Sequence, residues 1–289
     1  MAFTVNTNLM AQQAYLNLNR TSADMASSMA KLSSGLRINT AADDAAGLSI
    51  SQGLTSQVDG SNIASRNAQD GINVIQTADG ALGEVHSILQ RMRDLAVQAG
   101  NDSNNTASRT AIKSEGDALG QELDRITKAT NFNGINLLDG TGGAAANGTL
   151  SFQIGADGSA NSQISVNFGN LATSLTVGGN SFSGTSGSAA FLVDNAADSA
   201  TTITNLDTAI ANVSAQRSTL GASQNRLTHA MNIANTSAQN LSAANSHITD
   251  TDMAAEMVTY TKDSILSQAG TAMLAQANQS GQGILKLLG

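Results

Sequence analysis

Proline is absent from all 289 residues, where about 5% would be average. Such a chain can form very long helices, because nothing removes an internal N–H or clashes with the preceding turn. Cysteine is absent as well, which excludes disulfides, thiolate catalysis and Cys-ligated metal sites. Tryptophan is missing and aromatics make up only 3% of residues. The 40% hydrophobic content is therefore mostly Ala, Leu, Ile, Val and Met, suited to helix seams more than to a bulky core. Charge is scarce: 12% of residues carry one, against roughly 25% in an ordinary soluble domain. The formal net charge is −8, so a Lys/Arg patch dense enough to track a phosphate backbone is not expected and general nucleic-acid binding falls away. No run approaches the roughly 18 apolar residues of a membrane span. Met1-Ala-Phe-Thr-Val-Asn-Thr-Asn8 has neither a basic n-region nor an apolar h-region, so it does not read as a general secretory signal peptide.

What is present is periodic. Alternating four- and three-residue steps run through Ile50, Leu54, Gln57, Ser61, Ala64, Ala68, Gly71, Ile75, Ala78, Leu82, Val85, Leu89, Met92, Ala96 and Ala99, and only Gln57, Ser61 and Gly71 are not apolar. A sevenfold period of this length is a coiled-coil seam with a left-handed supercoil, roughly 75 Å long at 1.5 Å per residue. A break at Gly100-Asn-Asp-Ser-Asn-Asn105 precedes a second helix with Thr106 as N-cap and Ile112, Leu119, Leu123 and Ile126 on one face. Asp124 and Lys128 sit at the i, i+4 spacing of an exposed helix face, and Asn133-Gly134 marks a turn. A second seam runs through Ile203, Leu206, Ile210, Val213, Arg217, Leu220, Gln224, Leu227, Met231, Ala234, Ala238, Leu241, Asn245 and Ile248. Neither seam buries itself alone, so the two are expected to pack on each other.

Between the seams the pattern changes. Leu150, Phe152 and Ile154 alternate with polar residues, as do Ile164, Val166 and Phe168, across a loop holding Asp157-Gly158. This predicts a β-hairpin, expected to be the chain's only strand-bearing part. Gly178-Gly179 to Gly187 reads as a surface loop or linker. The two ends carry weaker heptads: Leu18, Met25 and Leu32 at one, Val258, Ile265 and Ala272 at the other. With so few large side chains, apolar burial at about 25 cal/mol per Å² hardly offsets the ordering cost of these ends in isolation. They are expected to fold against each other and against other copies.

Chemistry is harder to find. His86, His229 and His247 are scattered singly along helical segments with no metal-ligand spacing, and the bland reading, a surface or interhelical histidine, is the stronger. There is no G-x-S-x-G elbow, no Walker-type loop and no G-x-G-x-x-G between strand and helix. Asp43-Asp44 beside Arg37 could form an acid/base site, but negative charge at the start of the long helix is the simpler role. In Gln90-Arg-Met-Arg-Asp-Leu-Ala-Val-Gln98, Met92 belongs to the seam, so Arg91 and Leu95 are expected to point away from it. An ordinary solvated helix face is the favoured reading of that cluster from periodicity alone.

Lys31-Leu-Ser-Ser-Gly-Leu-Arg-Ile-Asn-Thr-Ala-Ala-Asp-Asp-Ala-Ala-Gly-Leu-Ser-Ile50 resembles the N-terminal signature of bacterial flagellins. Ile265-Leu-Ser-Gln-Ala-Gly-Thr-Ala-Met-Leu-Ala-Gln-Ala-Asn-Gln279, with Ile284-Leu-Lys-Leu-Leu288, resembles their C-terminal signature, and Asn131-Phe-Asn-Gly-Ile135 resembles the turn after their second helix. The resemblance covers residues 1–140 and 200–289 in the family's order.

The resemblance implies a mainly α fold: a long antiparallel coiled-coil helical rod with a small β-hairpin region, its termini forming a helical coiled coil in the polymer. Residues 1–43 and 247–289 would form the terminal helical core domain, the filament's inner tube. Residues 44–140 and 199–246 would form the rod, and 141–198 a short hairpin and variable surface region. The implied function is a structural subunit, not an enzyme and without cofactor, that polymerises into the extracellular flagellar filament for swimming. Implied partners are other copies in a helical homopolymer, the flagellar export apparatus and a secretion chaperone, the filament cap and junction proteins, and innate immune receptors. Export would need no cleaved signal peptide. Polymer contacts would involve Leu18, Met25, Leu32, Val258, Ile265 and Ala272, and the rod seam Leu54, Ile75, Leu82, Leu89, Ile210, Leu220 and Leu227. Arg91, Leu95, Gln98 and Glu115 match the positions contacted by the animal Toll-like receptor for flagellin. Residues 31–50 resemble the plant-receptor epitope, from whose strongly active forms Ala42 departs by not being Lys. Alternatives within reach are a hook–filament junction protein, whose kin tend to carry Pro near Thr40–Asp44, and a non-polymerising secreted coiled-coil protein. An enzymatic flagellin would need an H-E-x-x-H motif and a larger middle.

Overall fold

The computed structural model describes residues 8–177, 180–183 and 191–288; the expected Gly/Ser-rich loop from Gly178 lies largely outside the described residues. The chain divides into two compact units, one built from Met1–Ser56 with Asn240–Gly289 and the other from Gln57–Gln239. Helices dominate: α1 (Leu9–Ser34), α2 (Ala45–Ala99), α3 (Thr106–Ala129), α5 (Ala196–Thr249) and α6 (Met253–Leu288), with a single turn α4 (Leu171–Ser174) among the short strands.

In the Gln57–Gln239 unit the two predicted seams meet. Ile75, Leu82, Leu89 and Met92 of α2 are buried in one cluster with Leu206, Val213, Leu220 and Leu227 of α5. The helices run antiparallel: Arg93 Nε meets Asp207 at 2.6 Å, and Arg217 holds Asp79 with two bonds of 2.7 and 3.3 Å. Gly71, an exception in the apolar pattern, is explained by close approach, because a Cβ there would come within 3.0 Å of Leu227 and 3.1 Å of Phe152. Ser61, another exception, is buried but bonds its hydroxyl to the Gln57 carbonyl at 2.8 Å. The seam begins later than its apolar pattern. Ile50 is exposed and Leu54 half-buried, because the buried line in the first turns of α2 passes through Gly47 and Ser51 instead. Ile210 is also half-buried, at the edge of the α5 seam.

The second helix is capped by Asn105, whose side chain accepts from the Ser108 amide at 2.8 Å; the expected cap, Thr106, is instead the first helical residue. Asparagine is as good a cap as threonine or better, and it stands first. Asp124 and Lys128 form the i, i+4 pair at 2.7 Å. Strands β1 (Asn131–Phe132) and β2 (Ile135–Asn136) close on Asn133 and Gly134, with φ of 50° and 78°. Two successive positive-φ residues make the tight turn that suits a right-twisted hairpin.

The expected hairpin is β3 (Thr149–Gln153) with β4 (Gln163–Asn167), in register Leu150↔Val166 and Phe152↔Ile164. A third small pair, β5 (Thr176–Val177) with β6 (Asn180–Ser181), follows. The strands are thus not confined to one hairpin, because β1 and β2 precede it and short polar turns permit further two-residue pairings. Asn67 donates to the Gln153 carbonyl at 3.1 Å and Gln216 to that of Asn167 at 3.0 Å, so α2 and α5 both hold this hairpin. Phe168, Phe182 and Phe191 are among the largest fully buried side chains. A sparse aromatic content is therefore concentrated where bulk is needed.

Candidate functional site

In the unit containing both chain ends, α1 and α6 pack antiparallel. Asn8 caps α1 and also donates to the Ala277 carbonyl at 2.9 Å, while a Cβ on Gly270 would meet Leu18 at 3.3 Å. On α1 the covered line is Ala14, Leu18, Thr21, Met25, Ser28 and Lys31–Leu32, so the predicted heptad faces its partner. On α6 the covered line is Glu256, Tyr260, Asp263, Ser267, Gly270, Leu274 and Ala277. Val258, Ile265 and Ala272 lie on the opposite side: Val258 is 71% and Ile265 60% exposed. Met257, Leu266 and Met273 are exposed beside them, and Leu9, Met10, Tyr15, Leu16 and Met29 are exposed on α1. Helix pairs in a lone subunit normally bury their larger apolar side chains; this pair half-buries Leu18, Met25, Leu32 and Leu274 among small and polar residues and leaves Tyr15, Val258, Ile265 and Met273 open to water. The Asp263 and Gly270 line leaves no trace in the heptads, because periodicity marks an apolar face without saying what covers it.

The segment joining α1 to α2 is fixed by short-range polar contacts. Leu36 bridges Asp250, the Arg37 amide donates to the Thr249 carbonyl at 2.7 Å, and the Thr251 amide to that of Gly35 at 2.9 Å. The Arg37 side chain bonds the Ile248 carbonyl at 2.5 Å and the His247 carbonyl at 3.3 Å. A guanidinium on the last carbonyls of α5 satisfies acceptors the helix cannot and sits at its negative end. Asp44 caps α2 through the Gly47 amide at 2.9 Å. Arg37 and Asp44 therefore serve helix ends, and Asp43 folds the loop between them.

Asp43 accepts from the amides of Thr40 and Asn39 at 2.8 and 3.1 Å and from the Thr40 hydroxyl at 3.0 Å. The Thr40 amide above all, then the other two bonds, hold its carboxyl below the ordinary value of 3.8, with Lys31 adding its charge. A depressed folded pKa means the contribution is present above the unfolded value and is lost as pH falls through the folded one. NMR titration should find the Asp43 carboxyl ionising below 3.8, and the protection of the Thr40 amide should fall as that carboxyl is protonated. Asp43→Asn should remove the acid-linked change in the Thr40 amide's protection factor, measured against its intrinsic exchange rate. A midpoint at or above 3.8 would contradict the assignment.

The predicted recognition residues divide. Arg91 and Glu115 are exposed and joined across α2 and α3 by two bonds of 2.9 and 2.7 Å to one carboxylate oxygen. Gln98 is exposed on the same helix as Arg91. Leu95 does not point outward: it is 2% exposed and belongs to the buried cluster. A single seam leaves position 95 at its flank, but α2 is covered on more than the one side that its own periodicity reveals. Among the described residues no group of three or more His, Asp or Glu is placed to hold a metal ion, and no helix is long and apolar enough to cross a membrane.

Residues 5–142 match the bacterial flagellin N-terminal helical region and residues 203–288 the bacterial flagellin C-terminal helical region. The chain is 45% identical to the flagellin of Bacillus subtilis (strain 168), across 98% of this chain and 99% of that one. It is 43% identical to the flagellin of Halalkalibacterium halodurans over the same shares. It is 40% identical to the flagellar filament 33 kDa core protein of Treponema phagedenis, again across 98% and 99% of the two chains.

Proposed function

The chain belongs to the bacterial flagellin family, and we propose that it polymerises into the rotating filament that drives swimming. The family is one of structural subunits of the extracellular flagellar filament, so the surface to interpret is a contact surface. The observation that carries the reading is the outward apolar face of α6, with Val258 and Ile265 exposed opposite the helix's covered line. Burying such side chains is worth about 1.5–3 kcal/mol each, a gain open only to copies that meet there. Leu18, Met25 and Leu32 tie α1 to α6 within each copy, while Val258, Ile265 and Ala272 join copies. The chain is exported by the flagellar apparatus, accompanied by a chaperone, and assembles between junction and cap proteins.

The test is elongation of filament seeds by purified monomer, followed by negative-stain electron microscopy and circular dichroism. Long tubes with a gain in helix signal are expected. A chain that stays monomeric beside competent seeds overturns the reading, in favour of a non-polymerising secreted protein. Capping of seeds after a single layer points to a hook–filament junction protein.

A second role rests on a separate observation, the exposed Arg91–Glu115 pair with Gln98 nearby on α2. We propose that the monomer is a ligand for innate immune receptors that read this face, Leu95 shaping it from beneath. Exposed ion pairs are worth at most about 1 kcal/mol, so Arg91→Ala with Glu115→Ala should leave the unfolding midpoint nearly unchanged. Binding to the animal flagellin receptor ectodomain should nevertheless weaken at least tenfold. Unaltered binding by the double variant removes these residues from the site.

A further inference from the structure

Methionine is distributed unevenly between the two units. Met10 and Met29 on α1, and Met253, Met257 and Met273 on α6, are between 47% and 61% exposed. All five lie in the unit that holds the chain ends. In the other unit Met92 is 1% exposed, within the buried cluster, and Met231 is half-buried. Met25 is half-buried on the α1 line that faces α6. Exposed methionine thus accumulates on the two helices whose apolar side chains are left uncovered, and Met257 lines a shallow groove with Val258, Thr261, Lys262 and Ile265.

Methionine fits such a surface well, because its thioether is flexible and fills irregular gaps at a contact. It also brings a reactivity that Leu or Ile lacks. A two-electron oxidant of the peroxide class transfers one oxygen to the exposed sulfur: the O–O bond breaks, an S–O bond forms, and peroxide leaves as water. The product sulfoxide is polar and chiral, and disrupts Met-rich interfaces. Moving a strong acceptor out of water with no donor to meet it is unfavourable.

From this distribution we infer that Met10, Met29, Met253, Met257 and Met273 form an oxidation-sensitive set that controls assembly of this chain, peroxide converting an assembly-competent monomer into an incompetent one. The inference rests on the filament reading above. The Gln57–Gln239 unit keeps its core, because Met92 is enclosed and the five reactive sulfurs lie outside that unit. The block is reversible, since methionine sulfoxide is a substrate for methionine sulfoxide reductases. Once copies have packed, the same sulfurs are enclosed and assembled filament resists.

The experiment treats monomer and preformed filament with hydrogen peroxide, maps sulfoxide by peptide mass spectrometry, and measures seeded elongation. Expected in the monomer are rapid oxidation at the five positions, slow oxidation at Met92, and an elongation rate at least tenfold lower. Reductases of both epimer classes should restore the rate. In filament the five positions should react at least tenfold more slowly than in monomer. A variant with all five changed to Leu should elongate equally well before and after peroxide; should it assemble poorly, the reductase rescue of the natural chain decides the matter. Oxidised natural protein elongating at the untreated rate overturns the inference and leaves the filament reading intact. Untreated protein that never elongates seeds overturns both, and that result appears before any oxidant is added.

Discussion

Phe191→Ala should destabilise the folded monomer by about 3–5 kcal/mol, the range for removing a fully enclosed phenyl ring. The ring is wholly buried and rests against α3 where a side chain is missing: a Cβ on Gly116 would lie 2.3 Å from its Cδ1 and Cε1 atoms. The segment that carries Phe191 is held from both sides. Lys113 Nζ donates to the Phe191 carbonyl at 3.0 Å, the Thr202 hydroxyl to that of Leu192 at 2.7 Å, and Arg109 to that of Asp194 at 3.3 Å. The segment therefore cannot slide to fill the void, which places the cost in the upper part of the range. The same geometry predicts a reversal of sign. Gly116→Ala in the natural chain forces its methyl into an enclosed ring, a clash of about 1–3 kcal/mol that exceeds the roughly 1 kcal/mol a helix gains from Ala over Gly. In the Phe191→Ala background the clash is gone and Gly116→Ala should stabilise. Urea unfolding of the four proteins, followed by circular dichroism, measures the coupling directly. Equal effects of Gly116→Ala in both backgrounds would show that the ring does not depend on that glycine.

How much of this arrangement can be read from sequence depends on whether each residue's partner lies in its own pattern. The antiparallel pairing of α2 and α5 is legible because two matching heptad runs of similar length each supply one half of a core, as Leu82, Leu89, Leu220 and Leu227 do. The β3–β4 hairpin is legible from strict alternation around Asp157-Gly158, since a one-residue slip would turn every inward side chain outward. Leu95 is not legible, because its burial depends on what lies beside α2, outside the seam's own period. The α6 heptad is legible only as an apolar line. Its orientation depends on whether α1 prefers that line or the small and polar one, and Gly270 against Leu18 shows the choice going to close approach. Arg37 gives no local signal either, since the carbonyls it meets at His247 and Ile248 are more than two hundred positions away. What sequence supplies is therefore periodicity, and what it withholds is which of two faces finds a partner inside the same copy.

The outward choice made by α6 gives the second large effect. Val258→Asp combined with Ile265→Asp should abolish seeded elongation, with a fall of at least a hundredfold. Both positions are exposed in the single chain, so each carboxylate stays hydrated there and the monomer's unfolding midpoint should move little. On the proposed contact, assembly would withdraw them from water beside Met257 and Thr261 on their own helix; Lys262 can neutralise only one of the two, and the carboxylate left unpaired out of water costs several kcal/mol. That penalty adds to the loss of the roughly 1.5–3 kcal/mol that burying Val and Ile each contributes. Replacing both by Leu should leave elongation within a few-fold of the natural rate, since the face needs apolar area more than a particular branch point. Lys262, in the same groove, makes the pH dependence informative: as pH falls through the ordinary carboxylate range, the Asp variant should regain part of its elongation. Elongation by the double Asp variant at the natural rate would mean that copies do not meet on this side of α6. The polymer contact would then have to come from the exposed apolar residues of α1, Leu9, Tyr15 and Leu16 among them.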